Sequence, residues 1–71
     1  MPQYHFDLAG DWPAHDVAGH QCGNDREARR DGDLLAYRLV VEKPGMARGG
    51  NFIVVRNERG EEIHRAPLAM N

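Results

Sequence analysis

Cys22 is the only cysteine in a chain of 71 residues. No intrachain disulfide can form, and a domain of this size buries only about 60% of the surface its unfolded chain exposes. Small domains of this kind need another source of stability: a metal, a partner subunit or very tight packing. That constraint shapes everything read from the rest of the chain. The sequence is expected to form a single domain, residues 1–71.

The residue inventory removes several chemistries. The chain contains neither serine nor threonine. Serine and threonine nucleophiles and the triads built on a serine hydroxyl are therefore excluded, with Ser/Thr phosphorylation and Asn-linked glycosylation. Lys43 is the sole lysine and adjoins Pro44, a poor setting for a desolvated amine. The formal net charge is −2, which does not suggest a basic nucleic-acid binder. No stretch approaches the roughly 18 apolar residues of a membrane span, and the N-terminus lacks the pattern of a secretory signal. A lone cysteine fits a reducing cytoplasm, the expected location.

Gln3 to Leu8 alternates, with Tyr4, Phe6 and Leu8 on one side, as in a half-buried strand. Ala9 to Ala14 and Asp16 to Gly19 carry turn chemistry, and His20 to Cys22 reads as a short second strand. Asn24 followed by Glu27 has the form of a capping box, with Glu27 reaching back to Asn24. A helix is expected from Asp25 to about Glu42. Ala28, Gly32, Leu35, Ala36, Leu39 and Val40 make its apolar face, and Lys43-Pro44-Gly45 ends it. Gly32 costs about 1 kcal/mol relative to alanine inside a helix; close approach to a sheet is the expected compensation.

Gly45 to Asn51 reads as a loop. Phe52 to Arg56 is an apolar strand, Asn57 to Gly60 a tight turn, and Glu61 to Ala66 the returning strand. The simplest register sets Val55 opposite Ile63 and Val54 opposite His64. Ile53, Val55 and Ile63 then face the helix, and Phe52, Val54, His64 and Ala66 the other side. The expected fold is α+β: one helix on an antiparallel sheet of three to four strands, in the order ββαββ, with spatial strand order 2-1-3-4.

Tyr4-His5-Phe6-Asp7, Asp16-x-x-Gly19, Asp25-x-x-Ala28-Arg29 and Val55-x-Asn57-Glu58-x-Gly60 together resemble an uncharacterised family of short bacterial domains of unknown function. The family usually has Asp at the position of Asn57 and an aromatic residue at that of His5. The resemblance spans nearly the whole chain and implies a fold and a bacterial cytoplasmic setting, without an activity. The chain is also similar, more distantly, to HicB-type antitoxins, which pair a small sheet with one helix and neutralise RNases. Their Pro-Asp-rich strand motif is missing.

Candidate chemistry is sparse. His15, Asp16, His20 and Cys22 lie close together and include zinc-ligand types. A second pair of close ligands is missing, so the plainer reading is loop histidines beside a packed cysteine, with no metal and no cofactor. Cys22 is the remaining nucleophile, with His20 the only nearby base. Asp7, Asp11 and Asp16 read as solvated turn carboxylates. Arg26, Arg29 and Arg30 share a helix face, and Arg48, Arg56, Arg59 and Arg65 come from the hairpin region. Acidic residues interleave with both sets, so a mixed solvated surface is expected and nucleic acid is not.

The surfaces that one helix and one sheet leave uncovered carry Leu34, Tyr37 and Val41 on the helix and Phe52 and Val54 on the sheet. Either a second subunit covers them, or loops with Trp12, Leu68 and Met70 do. The reading adopted is a non-enzymatic interaction module that forms a homodimer through the outer sheet face or the outer side of the helix's second half, with a further protein partner allowed. The alternative is an antitoxin-like or nucleic-acid-linked regulator that uses the surface arginines.

Overall fold

The computed structural model describes residues 2–10, 14–48 and 50–69; for residues 14–20 and 48 the side chains lie outside that description. Strand β1 (Gln3–Ala9) leads into β2 (Ala14–Gln21), then helix α1 (Asp25–Glu42), a 3-10 helix (Pro44–Arg48), β3 (Phe52–Arg56) and β4 (Glu62–Pro67). The expected class holds: one α-helix on a small antiparallel sheet. The stretch between α1 and β3 differs from expectation, because Gly45 to Asn51 is not a plain loop. Pro44 to Arg48 coil into a turn of 3-10 helix that buries Met46.

Strands β1, β3 and β4 form the antiparallel platform, with Phe6 opposite Val55 and Leu8 opposite Ile53. Strand β2 adds by backbone pairing to the other edge of β1, giving the order β2-β1-β3-β4. It is longer than the sequence suggests: Asp16 to Gly19, expected as a turn, lies within it. Its pairing with β1 shifts between Phe6 and Leu8. A bulge of this kind absorbs extra residues without ending a strand, which is why turn-forming residues there did not break the ladder.

The helix starts where its chemistry dictates. Asn24 Oδ1 accepts the Glu27 backbone N–H at 2.9 Å, satisfying one of the otherwise orphaned first-turn donors. The reciprocal arm lands one residue earlier than expected, with Gly23 N–H donating to Glu27 Oε2 at 2.6 Å. At the other end the Lys43 N–H donates to the Leu39 carbonyl at 2.8 Å, and Pro44 follows. Ala28, Gly32, Ala36 and Val40 are buried against the sheet. The small residues in this row let α1 lie close on β3, and a Cβ added at Gly32 would sit 2.5 Å from Val55 Cγ2.

The β3–β4 register differs from the expected one. Val55 pairs with His64 and Ile53 with Ala66, and the register shifts between Val55 and Arg56, which pairs with Glu62. Ile63 is the extra residue of a bulge. Since strand faces alternate with a period of two, a slip of one residue reverses every side chain beyond it. His64 and Ala66 therefore face the helix. Ala66 is buried in the core beside Ile53, and His64 Nε2 lies 2.8 Å from Asp33 Oδ1 on α1. Ile63, at the bulge, still packs against the core edge.

The core is one cluster on the helix side of the sheet, built from Tyr4, Phe6, Leu8, Ile53, Val55 and Ala66 below and Ala28, Ala36 and Val40 above, and closed by Cys22, Met46 and Leu68. Leu68 is anchored by its N–H, which donates to the Asn51 carbonyl at 2.9 Å. Asn51 is the buried polar residue of this corner, and its Nδ2 donates to the Met46 carbonyl at 2.9 Å. Gly10 passes so close that a Cβ there would meet Asn51 Cα at 2.7 Å, with φ at +119°, a backbone that glycine alone adopts without strain. Trp12 and Met70, the other residues expected to fold over an apolar face, lie outside the described residues.

Candidate functional site

The helix presents two opposite stripes. One is buried against the sheet. On the other side Glu27, Arg30, Leu34, Tyr37, Arg38 and Val41 are all exposed, at spacings of three and four residues, the repeat of a seam along one helix face. Leu34 is 56%, Tyr37 69% and Val41 55% exposed, the large apolar side chains most open to solvent among the described residues. The stripe is polar at its N-terminal end and apolar towards its C-terminal end. An open depression of about 230 Å³ lies along the N-terminal half, lined by Glu27, Arg30, Asp31 and Leu34.

The sheet residues expected to share this role are placed differently. Val54 lies on the face away from the helix yet is only 4% exposed. Its cross-strand neighbours are Asp7 and Arg65. Arg56 Nε bonds Asp7 Oδ2 at 3.3 Å, Arg65 Nε bonds Glu62 Oε2 at 2.6 Å, and the Arg65 guanidinium lies 4.9 Å from the Phe52 ring centre. Long arginine stems cover apolar surface while their heads stay in water, which leaves Val54 covered within the single chain. Phe52 is half-buried beneath Arg65. Of the five residues expected at an interface, Val54 is thus buried and Phe52 half-buried within the chain, whereas Leu34, Tyr37 and Val41 stand exposed. The sequence reading missed this lattice because it depends on register: only the bulge at Ile63 brings Arg65 beside Val54.

No catalytic arrangement emerges from the titratable groups that are described. Cys22 is buried, and its thiol donates to Asp31 Oδ2 at 3.5 Å. Burial, followed by that hydrogen bond and the nearby carboxylate charge, pushes its pKa up to about 11, the reverse of what an activated thiolate requires. Tyr4 O–H donates to Asp25 Oδ1 at 2.6 Å, and this bond, with burial and the carboxylate charge, pushes the phenol up to about 12. Asp25 thus ties the start of α1 to β1, and Asp31 ties its second turn to the segment that follows β2. The Arg65 guanidinium holds the Glu62 carboxyl below its ordinary range.

The metal candidates His15, Asp16 and His20 have side chains outside the described residues, as does His20 in the role of a base for Cys22. Among the described residues no three histidine, cysteine or acidic side chains gather in a way that could hold a metal ion. Arg26, Arg29 and Arg30 are exposed on α1. Arg56 and Arg65, two of the surface arginines on which the nucleic-acid alternative drew, are engaged with Asp7 and Glu62. Among the described residues no helix is long and apolar enough to cross a membrane.

A model of the domain of unknown function DUF6894 matches residues 3–69. The chain belongs to that family. The match covers both strands before the helix, the helix and the closing hairpin, so the exposed stripe of α1 lies inside the family domain. No curated protein and no solved structure matches the chain.

Proposed function

We propose that this DUF6894 domain is a non-enzymatic interaction module that self-associates through the outer side of α1. One observation carries the reading. Leu34, Tyr37 and Val41 are each more than half exposed on the helix side opposite the buried stripe. Exposed apolar side chains that stand singly are ordinary; three at seam spacing on one helix make a contiguous patch, the kind monomers seldom show. Burial of a large apolar side chain contributes about 1.5–3 kcal/mol, a substantial share of the marginal stability of a small domain without a disulfide. A second copy of the chain is the occupant adopted, because its own α1 offers a matching apolar stretch, Leu34, Tyr37 and Val41. A two-fold pair closes such an interface.

A bacterial cytoplasmic setting belongs to the same proposal. A buried, unpaired Cys22 held by Asp31 suits a reducing compartment. The antitoxin-like reading gains less support, since Arg56 and Arg65 spend their charge on Asp7 and Glu62.

The test is the concentration dependence of thermal unfolding, in the wild type and in Tyr37→Glu. A dimer melts at a temperature that rises with protein concentration. Tyr37→Glu, on a residue 69% exposed in the single chain, should remove that dependence while the protomer still folds. A wild-type melting temperature that stays constant would overturn the proposal.

A further inference from the structure

We draw no further inference here: the strongest candidate, the open depression along the N-terminal half of α1 lined by Glu27, Arg30, Asp31 and Leu34, belongs to the exposed side of the helix already described, its carboxylates accept from the Gly23 N–H and the Cys22 thiol, and nothing in the structure shows what else it would hold.

Discussion

A Cβ placed on Gly32 would lie 2.5 Å from Val55 Cγ2, so the helix and β3 approach each other at this pair too closely for an added side chain. Gly→Ala in the middle of a helix normally gains about 1 kcal/mol. Here the added methyl group meets a wholly buried strand residue. Overpacking of this kind costs about 1–3 kcal/mol. Gly32→Ala should therefore lower the melting temperature despite its better helix propensity. Adding Val55→Ala should restore part of the loss relative to Val55→Ala alone, which a double-mutant cycle by denaturant unfolding would reveal. A Gly32→Ala protein more stable than wild type would show that the helix rides higher than described.

The β3–β4 turn depends on one side chain. Asn57 Oδ1 accepts the backbone N–H groups of Arg59 and Glu61, both at 3.0 Å, while Gly60 sits at φ +80°. Asn57→Ala orphans two turn donors and should cost about 1–2 kcal/mol. Asn57→Asp keeps the acceptor and should lose less, although it gives up the bond from Asn57 Nδ2 to Glu61 Oε1. Chemical denaturation of the two variants ranks them. Equal losses would mean that the side-chain acceptor does not hold the turn.

Alkaline pH should unfold the domain through two specific groups. The unfolded phenol and thiol ionise near their ordinary values of 10.0 and 9.0, whereas in the folded chain Tyr4 is raised to about 12 and Cys22 to about 11. Between those limits the unfolded chain has lost protons that the folded chain retains, so stability falls as pH rises. The contribution is fully present below pH 9 and declines from there to about 12. Tyr4→Phe and Cys22→Ala should each flatten that decline, whatever their effect near neutrality. Melting temperatures followed across this window provide the check, and wild-type slopes in both variants would contradict the assignment.

What the sequence disclosed and what it withheld divide along physical lines. The helix bounds, the Asn24 cap and the close approach at Gly32 were legible because each is a local signal with one structural solution: a capping side chain, a Lys-Pro stop, a glycine on an apolar row. The face assignment of β4 was not, because a bulge leaves no local mark. Glu62, Ile63 and His64 read equally well in either phase, and only pairing with β3 shows that His64 turns inward to Asp33. That slip also decided the candidate site. It moved Arg65 over Phe52 and beside Val54, covering those two residues with a charged side chain. The length of β2 was hidden for a related reason, since its shift against β1 lets turn-forming residues remain in a strand. The exposed stripe on α1 was legible as a surplus of apolar residues, although its restriction to the helix emerged only from the packing.

The exposed positions of the seam should be separable from the core in mutational data. Leu34→Ala and Val41→Ala remove side chains that are more than half exposed in the protomer. In a lone chain such changes stay within about 0.5 kcal/mol. At a subunit interface they should weaken association several-fold and lower the melting temperature most at low protein concentration. Thermal scans at two concentrations distinguish the cases. Small, concentration-independent changes would place the helix face in water.

The central claim is that the outer side of α1 is covered by a second copy of the chain, and sedimentation equilibrium of the wild type beside Leu34→Glu tests it most directly. The account predicts a two-chain species for the wild type at micromolar concentration and a folded one-chain species for the variant, with helical circular dichroism retained. A wild type that remains a single 8.0 kDa chain up to the highest soluble concentration would contradict it.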